Sequence, residues 1–149
     1  MRKQYFLFLL IITVMISCSS TPKFSDVTGK KWQLVEVNVK NRNILFNRGT
    51  LTREGDGNIF TFNFDAQNIN VTGAPSQCSG QYTLGNNQDI KLSLVNPPEP
   101  VPLKQPEKIW EGDFFVYMQN IYKWNLNKRK LELFSKTEDN AEVRMVFSQ

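Results

Sequence analysis

Residues 59–64 read IFTFNF, and this strict alternation decides the fold class. Successive side chains of a β-strand point to opposite faces of its sheet. Phe60, Phe62 and Phe64 therefore share one face, while Thr61 and Asn63 share the other. The stretch predicts a strand with one aromatic face and one polar face.

The same two-residue period recurs along the chain and predicts a largely β protein. At Leu34 and Val35 the apolar phase slips by one residue, which predicts a β-bulge in the first strand. Residues 41–47 are predicted to form a loop. Short turn-rich connections between the strands favour antiparallel pairing. The predicted strands lie near residues 31–39, 59–64, 69–71, 78–84, 90–94, 122–126, 131–133 and 143–147.

One helix is predicted after residues 96–106, which hold five of the seven prolines and cannot enter a sheet centre. Pro106 is predicted to lie in the first helical turn, where proline is tolerated. The spacing of the apolar side chains that follow predicts a stripe that packs on the sheet. The stripe consists of Trp110, Phe114, Tyr117, Met118 and Ile121. The fold class is therefore α+β and mostly antiparallel β, a small half-open, barrel-like sheet of about eight strands with one helix packed against it.

The N-terminus has the layout of a bacterial lipoprotein signal. Arg2 and Lys3 precede an apolar run of about twelve residues, which is too short for a membrane-spanning helix of roughly 20 residues. Residues 15–18, MISC, resemble a lipobox, which predicts cleavage before Cys18 and a diacylglycerol on its thiol. An ordinary cleavable signal peptide is the alternative. The predicted division is a signal peptide at 1–17, a lipidated tether at 18–26 and one domain at 27–149.

Charge and residue usage exclude several functions. The chain carries 18 basic and 14 acidic side chains, and removal of Arg2 and Lys3 leaves 16 against 14. Without a polybasic block we expect no nucleic-acid partner, and residues 128–130, KRK, are interpreted as a solvated turn. The chain has no histidine, the commonest general base and zinc ligand. We expect no metal site, no cofactor and no enzymatic activity, although paired carboxylates leave a catalytic route open.

Cysteine usage bounds the redox chemistry of the chain. With Cys18 lipidated, Cys78 has no partner for a disulfide within the chain and is interpreted as a small buried apolar residue. Ser19 follows Cys18 where an aspartate would favour retention in the inner membrane of enteric bacteria. We therefore expect a lipid-anchored protein of the cell envelope, with the outer membrane favoured over the inner.

Two candidate sites follow from the residue pattern. Aromatic side chains could line an apolar cavity in the barrel, or they could simply fill the core. The candidate lining residues are Phe60, Phe62, Phe64, Tyr82 and Trp124. Glu107 and Glu111, four residues apart, would share a helix face and could divide acid and base roles. On an exposed helix such a pair is interpreted instead as solubilising charge.

Four motifs occur in order along the chain, at residues 29–34 (GKKWQL), 79–84 (SGQYTL), 111–114 (EGDF) and 121–126 (IYKWNL). Together they resemble the META domain family of HslJ-like heat-shock proteins. Residues 75–78, PSQC, differ from the Gly-Cys-Asn that family members commonly carry before the Ser-Gly pair. The resemblance implies a half-open barrel with a helix against it and no catalytic residues.

The resemblance also bounds the expected function. It implies links to envelope stress, drug tolerance, and secretion or motility, and a fold like that of lipid-binding pilotins. We expect a membrane-anchored envelope lipoprotein that acts as a non-enzymatic binding or chaperone-like module, with an envelope or secretion protein as its partner. The alternatives are a pilotin-like binder of acyl chains or apolar segments, and a carboxylate-based hydrolase using Glu107 and Glu111.

Overall fold

The computed structural model describes residues 22–98 and 109–149. These residues form nine strands, all paired antiparallel. The strands are β1 Lys31–Val39, β2 Arg42–Leu45, β3 Thr61–Asp65, β4 Asn68–Thr72, β5 Gln77–Leu84, β6 Ile90–Val95, β7 Lys123–Asn127, β8 Lys130–Lys136 and β9 Glu142–Ser148. Two α-helices, α1 Arg48–Arg53 and α2 Glu111–Gln119, and a 3-10 turn at Phe24–Asp26 complete the described structure.

The sheet curls into a half-barrel and confirms the predicted fold class. Its order is β6-β5-β4-β3-β1-β9-β8-β7, and β2 pairs with β1 beside this path. At the start of β6 and β7 the two edges meet, since the Ile90 amide donates to the Tyr122 carbonyl at 3.1 Å and the Trp124 amide to the Gln88 carbonyl at 3.0 Å. Helix α2 packs against β6 and β8, so it covers the side that the sheet leaves open.

The predicted bulge lies where the sequence places it. The register between β1 and β9 shifts between Leu34 and Glu36. Beyond the shift β1 pairs with β2, whereas before it β1 pairs with β3. The bulge therefore lets one strand change partners, as an extra residue bends and twists a strand.

Residues 41–47, predicted as a loop, contain strand β2, and helix α1 follows directly. Asn47 caps α1 by accepting a hydrogen bond from the Thr50 amide at 3.1 Å. From the first turn, Arg48 donates to the carbonyls of Leu34, Ile59 and Phe60 at 2.6, 2.8 and 3.1 Å. One guanidinium therefore satisfies carbonyl groups at the bulge and at the entrance to β3, where Phe60 has a φ of 49°.

The predicted helix is real but begins later than its pattern suggests. Pro106 lies outside the described residues, and α2 begins at Glu111 with Trp110 as its N-cap. The Trp110 side chain is 59% exposed and does not belong to the buried stripe, whose other four predicted members are buried. The buried Ser135 hydroxyl donates to the Tyr117 carbonyl at 2.5 Å and fastens α2 to β8. Within the described part of the chain, neither helix is long and apolar enough to cross a membrane.

Candidate functional site

The aromatic side chains predicted to line a cavity fall into two contact groups. The Phe24 ring centroid lies 5.0 Å from that of Phe64, 5.2 Å from Tyr82 and 5.1 Å from Trp124. Phe62 joins this group through Phe64, at 5.1 Å. Three of the five predicted residues therefore surround Phe24, a residue that the sequence places in the tether.

Phe60 belongs to the second contact group. Its ring lies 5.7 Å from that of Phe46 and 5.1 Å from that of Phe114 on α2. Like most rings of the first group, these meet at steep angles, the arrangement that aromatic quadrupoles favour. These rings pack against one another, so no bound ligand is needed to explain the aromatic face. A cavity among the rings stays a prediction.

Tyr82 also ties down the turn between β3 and β4. Its hydroxyl donates a hydrogen bond to the Ala66 carbonyl. Burial raises the pKa of Tyr82, and the carboxylate of Asp65 raises it further. The neutral hydroxyl therefore persists as a donor well into the alkaline range.

A polar depression of about 360 Å³ lies at the C-terminal end of β1. It is walled by the β1–β2 turn, by α2 and by the β8–β9 turn, where Lys40 and Asp139 form an exposed salt bridge of 2.6 Å. Burial raises the pKa of Asp113, with a further contribution from Glu138, and burial likewise raises the pKa of Tyr117. The lining residues are Val39, Lys40, Arg42, Asp113, Val116, Tyr117, Thr137, Glu138 and Asp139.

This depression offers charges of both signs together with a phenol hydroxyl. Such a lining suits a polar ligand or a polar protein segment rather than an acyl chain. Among the residues that the structure describes, no three His, Cys, Asp or Glu side chains converge as a metal site would require. The sequence pattern did not reveal the depression, because its walls come from three segments that only the fold brings together.

Glu111 is buried, and the prediction of an exposed, solubilising charge is wrong for it. Its side chain is 1% exposed. One carboxylate oxygen accepts from the Ala74 amide at 2.5 Å and from the Ser76 amide at 2.6 Å, while the other accepts from the Ser76 hydroxyl at 3.1 Å. The carboxylate thus joins the start of α2 to the turn between β4 and β5, which contains the cis bond from Ala74 to Pro75. Glu107 lies outside the described residues.

Of the two cysteines, Cys78 lies within the described residues and Cys18 outside them. Cys78 is partly buried in β5 and packs against the core, and burial raises the pKa of its thiol from 9.0 to about 11. A neutral thiol of this kind acts as a small apolar side chain and is a poor nucleophile at neutral pH. Cys18 lies outside the described residues, and its lipidation stays a prediction.

Comparisons with known proteins bear on the fold. No protein-family model matches the chain, and no curated protein matches it. A DUF4847 family protein from Bacteroides vulgatus has a similar structure, with a TM-score of 0.54, 12% sequence identity, and coverage of 84% of this chain and 95% of that one. A likeness at this identity shows a shared half-barrel fold. The META resemblance stays a prediction.

Proposed function

We propose that this protein is a lipid-anchored bacterial envelope protein whose β domain is a non-enzymatic binding module. The observation that carries the proposal is a spacing: the lipobox-like residues 15–18 end six residues before Phe24, whose ring packs against Phe64, Tyr82 and Trp124. An acyl anchor on Cys18 would hold the domain close to a membrane surface while the fold itself needs no contact with lipid tails.

The chemistry of the described residues supports binding rather than catalysis. Glu111, one of the two carboxylates considered for acid–base work, is engaged by two backbone amides and a hydroxyl. Cys78 has a raised pKa, and the sequence contains no histidine. A binding role therefore fits the available side chains better than a hydrolytic one.

The polar depression is the surface that we assign to binding. Lys40, Arg42 and Asp139 place both signs of charge at its rim, which favours a polar segment of an envelope protein as the ligand. The META resemblance supports a role in envelope stress or secretion. Binding of acyl chains by the aromatic face has less support, because those rings already contact one another.

Metabolic labelling with an alkyne fatty acid tests the anchor. We expect the wild-type protein to incorporate the label and to float with membranes, and Cys18→Ala to lose the label. Cys78→Ala is the matched control and should keep it, because Cys78 is partly buried in the sheet. Label on Cys18→Ala, or none on the wild type, would rule out the anchor.

Affinity capture from solubilised envelopes tests the binding surface. We expect a stoichiometric partner that co-elutes with the wild type and is lost with Arg42→Ala. Lys91→Ala is the control, since Lys91 is an exposed basic residue of β6 that does not line the depression. Equal capture by both variants would move the binding surface elsewhere.

A further inference from the structure

The strand register gathers several segments at the end of the sheet from which the N-terminal segment leaves. Lys31 begins β1 opposite Asn63 of β3, so the β3–β4 turn lies beside it. Ser148, near the end of β9, pairs both with Gln33 of β1 and with Lys130 of β8. The β7–β8 turn therefore lies at the same end. We call this surface the tether end; it comprises residues 22–31, 65–67, 85–89 and 127–130.

The tether end carries a positive charge that the rest of the domain does not share. It holds six basic side chains against the acidic Asp26, Asp65 and Asp89, a net of +3. The whole of residues 18–149, with 16 basic and 14 acidic side chains, has a net of only +2. The basic residues are Lys23, Lys30, Lys31, Lys128, Arg129 and Lys130.

These charges are open to an external partner. Lys23, Lys31 and all three basic residues of the β7–β8 turn are exposed, and of these Lys31 also donates from its ammonium to the side-chain oxygen of Asn58 at 2.6 Å. The salt bridges among the described residues join Lys40 to Asp139 and Arg144 to two glutamates, and none of them involves a basic side chain of the tether end. Lys130 interacts electrostatically with Glu132. No basic side chain of the tether end forms one of the salt bridges of the described residues, so the fields of these side chains add at this end.

The length of the chain before the domain limits how far this end can lie from the anchor. Six Cα–Cα steps of 3.8 Å join Cys18 to Phe24, so the two residues are at most about 23 Å apart. Phe24 is held by three ring contacts and moves with the domain. The polar depression lies at the far end of β1, about 26 Å further on at 3.3 Å per residue.

We propose that the tether end docks on the anionic phospholipid surface that carries the lipid anchor. The basic side chains face the headgroup phosphates, and the polar depression points away from the membrane toward soluble partners. This inference rests on the proposed anchor and adds to it an orientation and a second, electrostatic contact. Basic clusters beside a lipid anchor strengthen membrane attachment in this way.

Lysine footprinting of the full lipidated protein tests the orientation. The protein is reconstituted in vesicles of phosphatidylcholine alone or of an equimolar mixture with phosphatidylglycerol, and acetylation of each lysine is followed by mass spectrometry. We expect Lys30, Lys31, Lys128 and Lys130 to react several-fold more slowly on the anionic vesicles. The difference should vanish in roughly 1 M salt, where the Debye length is about 3 Å. Lys40, which lines the depression at the far end of β1, should react equally on both.

Charge reversal supplies the second measurement. We expect the double variant K128E/R129E to lose the protection of Lys30 and Lys31. The control R53E/K136E makes the same change in net charge away from the tether end, since Lys136 lies at the opposite end of β8 from Lys130, and should keep it. Equal reactivity on neutral and anionic vesicles would overturn the inference, as would protection that requires an added acidic envelope protein or polysaccharide.

Failure of the anchor itself is recognised separately. An unmodified Cys18 in the intact mass of the same preparation would overturn the proposed function and this inference together. A lipidated Cys18 with uniform lysine reactivity would overturn the docking alone.

Discussion

Truncating the buried carboxylate at the start of α2, by Glu111→Ala, should destabilise the domain more than any surface change. The variant removes three acceptor contacts at once and leaves the Ala74 and Ser76 amides without their partner. Ala74 is itself buried, so water reaches its amide poorly. The helix start and the β4–β5 turn lose their main polar connection.

The magnitude follows from the groups left unpaired. A buried donor without a partner costs about 1–3 kcal/mol, and bonds to a charged acceptor lie at the upper end. Ala74 is buried and Ser76 only partly so. Removing a carboxylate from a buried position also relieves its desolvation, which offsets some of the loss. We expect the free energy of unfolding to fall by about 2–4 kcal/mol, a large share of the 5–15 kcal/mol typical of a domain.

Glu111→Gln separates hydrogen bonding from charge. Its amide oxygen can accept from both backbone amides as the glutamate does, and its NH₂ group can donate to the Ser76 hydroxyl. We expect this variant to lose about 1 kcal/mol. Thermal unfolding of the detergent-solubilised full chain, followed by near-UV circular dichroism, should lower the Tm by roughly 8–15 °C for the alanine variant and by a few degrees for the glutamine variant. Equal effects of the two variants, or a negligible effect of alanine, would show that the hydrogen bonds of Glu111 do not stabilise the domain.

Three further predictions follow from neighbouring features. Gly73→Ala should destabilise the domain by about 1–3 kcal/mol, because an added Cβ would lie 2.5 Å from a Glu111 carboxylate oxygen and 2.7 Å from the Phe115 ring. The control is Gly49→Ala, where the atom nearest to an added Cβ is 3.4 Å away, and equal Tm values for the two variants would contradict this prediction. Arg48→Lys keeps the charge but loses the planar guanidinium that donates to three carbonyls. Denaturant unfolding should show a fall of about 1–3 kcal/mol in the free energy of unfolding. The control Arg53→Lys, at an exposed position, should be near neutral. Cys78 should react with iodoacetamide at pH 8 about tenfold to a hundredfold more slowly in the folded than in the urea-unfolded chain. Because folding raises the pKa of the Cys78 thiol from 9.0 to about 11, the stability gained by burying this thiol is complete below pH 9 and declines as the pH rises through 11. Equal alkylation rates in the folded and unfolded states would contradict the burial of the thiol.

The sequence predicts the sheet well because its signals are local. Alternation of Phe60, Phe62 and Phe64 with polar residues depends only on the pleat of one strand, and all three rings are buried. The phase slip at Leu34 and Val35 marks the bulge for the same reason. A two-residue period states which face is buried before any partner strand is known.

What the sequence misses depends on tertiary neighbours. Strand β2 is short and gains its ladder from β1, and α1 contains a glycine and two threonines, which are weak helix formers. Asn47, three residues before Thr50, is the local signal that could have revealed the start of α1. The sequence predicts an exposed Glu111, because the acceptor role of its carboxylate depends on a turn some 35 residues away.

The candidate sites show the same division. Local pattern identifies the aromatic face, yet the contact of Phe24 with Trp124 joins segments a hundred residues apart. The polar depression and the basic tether end are assembled from turns that are close only in the folded chain. Residues 128–130 read as a solvated turn in isolation, and their place beside the N-terminal segment emerges from the register of β8 and β9.

The most direct test of the account is the intact mass of the protein purified from bacterial envelopes, combined with fragmentation of its N-terminal peptide. We expect a chain that begins at Cys18, with a diacylglyceryl group on its sulfur and Cys78 as the remaining free thiol. A chain that begins elsewhere, or an unmodified Cys18, would contradict the lipid anchor on which the proposed function depends.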